Sequence, residues 1–600
     1  MEPKISLRKF GSLNLNSDRQ QIENNQLAEA RNIQWDGSGV LVSRPRLIAH
    51  ATSELVDGVP HTSPEVGVQY TYFLEFSDGG GGSLSSEVIV SSGGKYPYLT
   101  TWHGSKSKLT QVPLSHRVTL PNRGVWFPVG TTLQLYLPNG TRLTRSSFTQ
   151  TTWTPPVGVA VTPPGSFGFE LFSHKDRLWG FNSAHYYGTI DQTIYYTEVA
   201  NGDNWASPLG GAIFIPDENI SGIQTCVSLL DKILIFKGDA IYALTTLGAP
   251  INWSLRRVAT GLGSFVKGAV TYKNICYFIH STGIWATDGT DFIRISEPLD
   301  EFFNENQVGN ITGDEGPNSN RIDAFRDKLY ISLLLEDETK RFFVYDIKTK
   351  AWAEWDFASI DVNEIFDVMA VETDDSYFRG VLLAVKNQNA EKPAVYRIDE
   401  TEVLSYKGVD QEIYAYVKTD SGSTTTNIVL QGTHVVNDYQ DKILVDRLTG
   451  ESSPIVSNGT GSITLSPGFS YSPGGPGLSL LVVDETNFVS SITTKSFDFD
   501  NPGAIKRMQK LLIEMSGEGA VVTTEIDSGD AGSASKTVEI LGEEDQAQIP
   551  VPANLRGQNF SITVSKSDLG LRKLKIYGIH LYASLRGRLG NQNDLPDSSN

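Results

Sequence analysis

The sequence predicts an all-β fold: a β-propeller with additional β-sandwich modules. Three observations carry that expectation. Apolar runs of strand length recur from end to end between clusters of Gly, Asn, Asp, Pro and Ser, and the 56 Gly and 27 Pro are spread through all 600 residues. That is the turn chemistry that links strands. Several segments alternate apolar and polar residues with a period of two, as half-buried strands do. Between residues 170 and 400 a two-strand pattern returns at nearly regular intervals.

Residues 1–60 are expected to be an N-terminal arm packing a strand on the propeller. Within it, "GVLVSRPRL" (39–47) should complete a blade or dock on the propeller, ending at Arg44-Pro45 because Pro withdraws a ladder donor. Residues 61–160 read as a fibronectin-like β-sandwich insert. "VGVQYTYFLEFSDGGGGSLSSEVIV" (66–90) alternates on both sides of a Gly run and places Tyr70, Tyr72 and Leu74 on one face. "TTLQLYLPNGTRLTRSSF" (131–148) adds a hairpin turning at Asn139-Gly140.

Residues 161–405 read as propeller blades. First strands "KDRLWGF", "LDKILIF", "YKNICYF", "RDKLYIS" and "FRGVLLA" begin their apolar runs at Leu178, Ile233, Ile275, Leu329 and Val381, in steps of 55, 42, 54 and 52 residues. Each is followed by a second strand centred on an aromatic: Tyr195, Tyr242, Trp285, Tyr345 and Tyr396. An all-strand period of this size is the signature of radial repetition, in which small sheets bury their faces against their neighbours. Two stacked β-sandwiches are the competing arrangement, since the repeats share shape more than identity. Residues 406–488, rich in Ser, Thr and Gly with "SPGGPG" at 472–477, read as a small β module. Residues 489–590 form a C-terminal β-sandwich or closing blade, and 591–600 a flexible tail.

Fifty Lys plus Arg against 69 Asp plus Glu leave a net charge of −19. That argues against a protein that grips nucleic acid by its phosphates, which needs a positive surface. Cys226 and Cys276 lie in apolar strand-like runs and are expected as buried reduced thiols rather than a disulfide. No stretch reaches about 18 uninterrupted apolar residues, so no membrane span is expected. "MEPKISLRKFGSL" lacks the apolar core of a secretion signal, so a soluble, cytoplasmically made chain is expected.

No catalytic, metal-binding or cofactor-binding residue emerges. "GGGG" at 79–82 lacks the Lys-Ser/Thr or following helix that a phosphate loop needs, and reads as a hairpin tip. The nine histidines never form a close pair, and neither cysteine has a partner at ligand spacing. There is no Gly-x-Ser-x-Gly elbow. "WATDGTDF" (285–292) resembles a degenerate Asp box, which supports a blade hairpin rather than catalysis. Neither it nor "FDFDNPG" (497–503) alternates oxygen ligands as a Ca²⁺ loop does. Glycoside cleavage needs two converging carboxylates, and 69 acids nominate no pair. Arg31, Arg44 and Arg46 are read as carboxylate partners that pin the arm or join neighbouring subunits, in preference to DNA contacts.

Taken in order, several strings resemble the tail nozzle proteins of short-tailed bacteriophages, also called the tail tubular protein B family. The family's F-G-x-L-N, L-x-x-x-E-A-x-N and G-x-L-x-x-R-P are matched by Phe10, Gly11, Leu13 and Asn14, by Leu27, Glu29, Ala30 and Asn32, and by Gly39, Leu41, Arg44 and Pro45. Leu27-Ala28 stands where Pro-Gly is often found. "RLWGFNS", "QTIYYTEVANGDNW", "GIWATDGTDFIRISEPLDEFF", "FFVYDIKTKAWAEWD", "TTKSFDFDNPGAIKRMQKLLIEM" and "IPVPANLRGQNFSITVS" continue the likeness collinearly. The resemblance implies a non-enzymatic virion tail subunit, assembled in the host cytoplasm. It implies a homo-oligomeric ring, commonly of six copies, below an adaptor protein and beside tail fibres, spikes or needle proteins. Double-stranded DNA would pass through the ring without specific binding. The competing function is a tail-associated carbohydrate-binding or sialidase-like polysaccharide-degrading protein.

Overall fold

The computed structural model describes most of residues 4–588. Outside the described residues lie 1–3, 589–600 and internal stretches, the longest being 53–66, 114–123, 153–168, 183–191, 306–319, 372–379 and 399–408, together with the side chains of 50–123. The Gly run at 79–82, the Asn139-Gly140 pair and the tail 591–600 fall among these stretches.

Among the described residues, seven four-stranded antiparallel units can be traced. Blade 1 is Gly67–Ser77, Ser83–Ser92, Tyr98–Trp102 and Leu109–Pro113, and blade 2 is Val125–Val129, Thr132–Tyr136, Thr141–Thr144 and Gln150–Thr152. Blade 3 is Phe169–His174, Arg177–Asn182, Thr193–Tyr196 and Gly211–Phe214; blade 4 is Thr225–Leu229, Lys232–Phe236, Ala240–Thr245 and Ser254–Thr260. Blade 5 is Ala269–Tyr272, Ile275–His280, Gly283–Thr287 and Phe292–Arg294; blade 6 is Arg321–Phe325, Lys328–Leu334, Lys340–Asp346 and Ala351–Trp355. Blade 7 takes Val362–Val371, Gly380–Asn387 and Pro393–Ile398 from the middle of the chain and its outermost strand, Leu47–Thr52, from the beginning.

The first strands of blades 2 to 7 pack in succession, and that of blade 7 meets that of blade 1. Among the described residues, these seven sheets make up a β-propeller.

The repeat legible in the sequence is the second and third strand of each blade. Leu178, Ile233, Ile275, Leu329 and Val381 open second strands, and the five aromatics stand on the third, Tyr242 opposite Ile235 and Tyr396 opposite Leu383. Ile233, Leu234, Ile235 and Phe236 are all fully buried, because a blade sandwiched between two neighbours has no wet face. The preceding turns, Lys175-Asp176, Lys273-Asn274 and Arg326-Asp327, hold both residues at positive φ. That suits a two-residue primed hairpin, and Asp or Asn in its second position tolerates it.

Over the span 61–160, expected to be a fibronectin-like sandwich, the described strands form two four-stranded sheets that share no strand, blades 1 and 2. Alternation and turn pairs specify a hairpin, but they do not say which sheet the hairpin joins.

Residues 409–487 form the small β module as a six-stranded sheet, Val409–Lys418, Ser479–Asn487, Ile443–Val445, Ser452–Asn458, Ser462–Leu465 and Asn427–Val429. A bridge between Thr419 and Leu430 joins its two edges into a barrel. Its core holds Val417, Ile428, Leu444, Ile463, Leu480 and Val482.

The C-terminal region is a sandwich completed by the arm. One sheet orders Ile33–Trp35, Leu41–Ser43, Lys575–Arg588, Ala504–Ser516 and Asp545–Ile549, with Lys4–Leu7 also on Lys575–Arg588. The other runs Leu27–Arg31, Ser490–Thr494, Ser561–Lys566, Val521–Asp527 and Ser533–Glu539. "GVLVS" thus pairs with Lys575 and Ile576 of the sandwich and not with a blade, and it stops before Arg44-Pro45; the strand that completes a blade is the next one. One apolar core runs from Leu511, Ile513, Ile562 and Leu581 through Leu27 and Leu41 to Trp352 and Trp355 of blade 6. Among the described residues no helix is long and apolar enough to cross a membrane.

Candidate functional site: the hub between propeller and sandwich

The densest buried polar cluster that bears on the sequence-predicted residues lies where the arm passes between blade 6 and the sandwich. Strand 27–31 pairs antiparallel with 490–494 and touches the outer strand of blade 6 in parallel, Arg31 opposite Glu354. The arm must then cross from one sandwich sheet to the other within a single residue. Asn32 makes that turn with φ of 54° and is fully buried. Asn is the non-glycine residue best suited to this conformation, because a short amide can bond locally there.

Every polar group of Asn32 is occupied. Its backbone N–H donates to the Glu354 carbonyl at 2.8 Å, and its carbonyl accepts from the Arg44 N–H at 2.8 Å and the Ser490 hydroxyl at 3.0 Å. The side-chain Nδ2 donates to Asp356 Oδ2 at 2.9 Å and to the Val489 carbonyl at 2.8 Å. The side-chain Oδ1 accepts from Arg44 Nε and from the Asp356 N–H, both at 2.9 Å. One side chain therefore ties together the arm, blade 6 and the sandwich.

Arg44 is 1% exposed. Its guanidinium donates to Asn32 Oδ1, to the Pro45 carbonyl at 2.9 Å and to the Asp356 carbonyl at 3.2 Å. It also lies 3.8 Å from the ring centre of Phe488 and 5.3 Å from that of Phe357. A weakly hydrated planar cation suits such a place, where carbonyl dipoles and aromatic faces stand in for water. Arg31, half exposed, forms an ion pair with Asp356. Arg46 follows Pro45 at the entry to the blade-closing strand. The structure thus brings Arg31 and Arg44 together on Asp356 and Asn32. Arg31 takes a carboxylate, whereas Arg44 donates to an amide and to carbonyls and lies against aromatic rings.

Indole N–H groups complete the junction. Trp355 Nε1 donates to the Ile33 carbonyl at 2.7 Å, Trp35 Nε1 to that of Phe10 at 3.0 Å and Trp352 Nε1 to that of Ile295 at 3.0 Å. The Ser12 hydroxyl accepts from the Trp352 N–H at 2.9 Å, and Leu13 N–H donates to the Trp352 carbonyl at 3.0 Å. Glu29 accepts from the hydroxyls of Ser491 and Thr493. Gly39 holds φ of 88° in the hairpin between Trp35 and Leu41, a conformation that strains any residue with a Cβ. Asp356 was not singled out in the sequence. The "AWAEWD" string that contains it matched the resemblance, but nothing local marks a carboxylate as the partner of an arm more than 300 residues earlier.

No family model and no curated protein matches the chain. Solved structures that resemble it include a chain of a mitotic checkpoint complex, at 10% identity, covering 59% of this chain and 92% of that one with a TM-score of 0.33. The Pan2 WD40 domain of Neurospora crassa shows 10% identity over 60% of this chain and 96% of that one, TM-score 0.32. The N-terminal domain of Nup159 shows 10% identity over 62% and 98%, TM-score 0.31. The blade count rests on strand pairing, not on these likenesses.

Elsewhere the polar chemistry ties blade to blade. His174, at the end of a first strand in blade 3, bridges to blade 4: Nδ1 lies 2.7 Å from the Ser228 hydroxyl and Nε2 2.6 Å from that of Thr246. Burial pulls its pKa down to about 4. Asp327, in the first turn of blade 6, pairs with Lys273 of blade 5 and with Lys348, and hydrogen bonds from the two ammonium groups hold its carboxyl down at about 2. Asp288 turns the third strand of blade 5 into the fourth. Its carboxylate accepts the N–H groups of Asp291 and Thr290, which lowers its pKa, and Gly289 sits at φ of 88°. In "FDFDNPG", Asp498 accepts the Asp500 N–H at 3.0 Å. No metal-ligand cluster exists among the described residues. Cys226 and Cys276 are buried free thiols, and burial raises the pKa of both.

Proposed function

We propose that the chain is a non-catalytic structural subunit of a virion tail, one copy in a ring that surrounds the channel through which double-stranded DNA leaves. The observation that carries this reading is where the collinear motif residues fall. Phe10, Leu13, Leu27, Ala30 and Leu41 are buried in the shared core, while Asn32 and Arg44 form the hub. The arm strings that resemble tail nozzle proteins are thus among those that weld propeller to sandwich. A conduit subunit needs that property, because it must hold its shape while a stiff polymer is driven past it. The charge balance supports the same reading. At −19 the chain confines a polyanion by repulsion, and each avoided phosphate contact removes a source of salt-dependent retention.

On this reading the partners are other copies, an adaptor above, and tail fibres, spikes or a needle alongside. Native mass measurement with electron-microscope class averages tests it. A closed ring with a central channel is expected, and a monomer that never enters a ring overturns the proposal. Turnover of any member of a panel of host-surface glycans would replace it with the sialidase-like reading.

A further inference from the structure

Cations of this acidic chain recurrently meet carboxylates: Arg31, Arg142, Lys273, Arg294, Arg341 and Lys442 each pair with an Asp or Glu. One sheet face of the C-terminal sandwich departs from that pattern. In strands Lys575–Arg588 and Ala504–Ser516, Leu581, Ile579, Leu511 and Ile513 are fully buried in the core. Alternation then turns Tyr582, Lys510 and Glu514 to the opposite, outer face.

Register sets the cations of that face. Lys4 and Lys510 stand on either side of Tyr582, each directly opposite it in its own ladder. Their ammonium groups lie 5.3 and 5.9 Å from its ring centre. Beyond a bulge, Arg507 lies opposite Ser584 in one ladder and opposite Arg556 in the other. Met508 is buried beside Arg507 as Leu511 is beside Lys510, so both bases point outward. Lys4 and Arg556 are exposed, and Lys510 and Arg507 half-buried. Among the described residues none of the four is ion-paired. Glu514, the carboxylate described on this face, already meets Arg8 at 3.1 Å and His580 at 3.2 Å. Like charges directly opposite one another in a ladder repel, so Arg507 facing Arg556 is a cost that an anionic counterpart would relieve.

We propose that this face, with Lys4, Arg507, Lys510 and Arg556, docks a carboxylate-rich segment of a partner protein. Charge complementarity selects the occupant. Guanidinium forks take carboxylates bidentately, and the two ammonium groups add point charges beside them. A long polyanion is disfavoured, because duplex DNA carries a charge every ~1.7 Å along its axis. It would run past the four bases onto a chain whose net charge is −19, whereas an acidic segment ends with the patch. A second copy brings that same net repulsion. The site is also composite. Lys4 belongs to the arm and reaches Tyr582 only when Lys4–Leu7 has paired with Lys575–Arg588, so the partner reads whether the arm is seated. The inference goes beyond the ring reading and does not depend on it.

The test uses the full chain and a fluorescein-labelled oligoglutamate peptide, with binding read by anisotropy at low salt. Two patch variants are compared, Arg507→Gln with Arg556→Gln, and Lys4→Gln with Lys510→Gln. Lys232→Gln with Lys536→Gln removes equal charge elsewhere. The parent and the off-patch variant should bind alike, and each patch variant should bind about tenfold or more weakly. Added salt should weaken the parent's binding. Circular dichroism melting follows the fold; the arginine variant should melt no lower than the parent, and should it melt early, the lysine pair decides alone. A parent that ignores the peptide overturns the proposal, as does an equal loss in the off-patch variant. Tighter binding of the parent to a labelled DNA duplex than to the peptide would assign the face to nucleic acid instead. Self-association of the parent, seen by sedimentation velocity and abolished in the patch variants, would make the occupant a second copy and overturn it too.

Discussion

Two junctions in this molecule are built from the same kinds of side chain and differ in what those side chains can lose. At the hub, Asn32 and Arg44 are 0% and 1% exposed and every group of Asn32 is used. At the seam between blades 5 and 6, Asp327 meets two lysines whose side chains are 64% and 69% exposed. Removing one partner at the hub leaves desolvated donors and acceptors with no replacement, a cost of about 1–3 kcal/mol per orphaned group. Removing one at the seam hands its partners back to water. Shared chemistry therefore does not mean shared importance; burial and the number of dependants decide.

The sharpest way to break this comparison is Asn32→Leu. It forces a branched side chain into the left-handed region, orphans the Asp356 N–H, and removes one acceptor from Arg44 and one donor from the Val489 carbonyl. We expect a loss above about 3 kcal/mol, seen as a collapse of the denaturant midpoint or as insoluble protein. Arg44→Met should come next, at about 2–4 kcal/mol, because it keeps the apolar stem over Phe488 and deletes the donors. Charge reversal, Arg44→Glu, should prevent folding altogether. A soluble, assembled Arg44→Glu protein defective only in DNA release would return this residue to a DNA-contact role.

His174 sharpens the comparison at an intermediate scale. Its folded pKa of about 4 lies below the usual value, so the unfolded chain binds more protons between pH 4 and 6.5. The contribution is fully present above about pH 6.5 and is lost as pH falls towards 4, by roughly 2 kcal/mol. The melting temperature of the parent chain relative to His174→Gln should decline over that window, and a flat difference would show that the bridge to Ser228 and Thr246 does not couple to stability. Smallest of all, Asp327→Asn keeps a residue that tolerates φ of 65° and should cost less than about 1 kcal/mol. That small effect should shrink further in high salt.

Sequence and structure part company at identifiable places. The second and third strands of blades 3 to 7 could be read directly, because a fully buried strand beside an aromatic partner is a dense local signal: Ile233 to Phe236, followed by Tyr242, is one. Blades 1 and 2 were visible as hairpins but not as blades, since nothing in Tyr70, Tyr72 or the Asn139-Gly140 turn states which neighbour a sheet packs on. The first and fourth strands of the blades were missed where their apolar pattern is more mixed, as in Gly211–Phe214. Arg31, Arg44 and Arg46 were legible only as candidate carboxylate partners that pin the arm or join subunits; Arg31 meets Asp356, while Arg44 donates to an amide and to carbonyls. Asp356 itself was not legible, because a contact across 312 residues leaves no mark in either local stretch.

The strand Leu47–Thr52 that closes blade 7 also sets a schedule. Its partner, Pro393–Ile398, leaves the ribosome some 350 residues later, roughly 20–70 s at ordinary elongation rates. Lys4–Leu7 waits longer still, for Lys575–Arg588, where the Ser6 hydroxyl meets His580 Nδ1 at 2.7 Å. The arm is therefore made long before the strands that receive it. Through most of synthesis it is an apolar, unpaired edge, which is when the chain is most exposed to aggregation and to capture by chaperones.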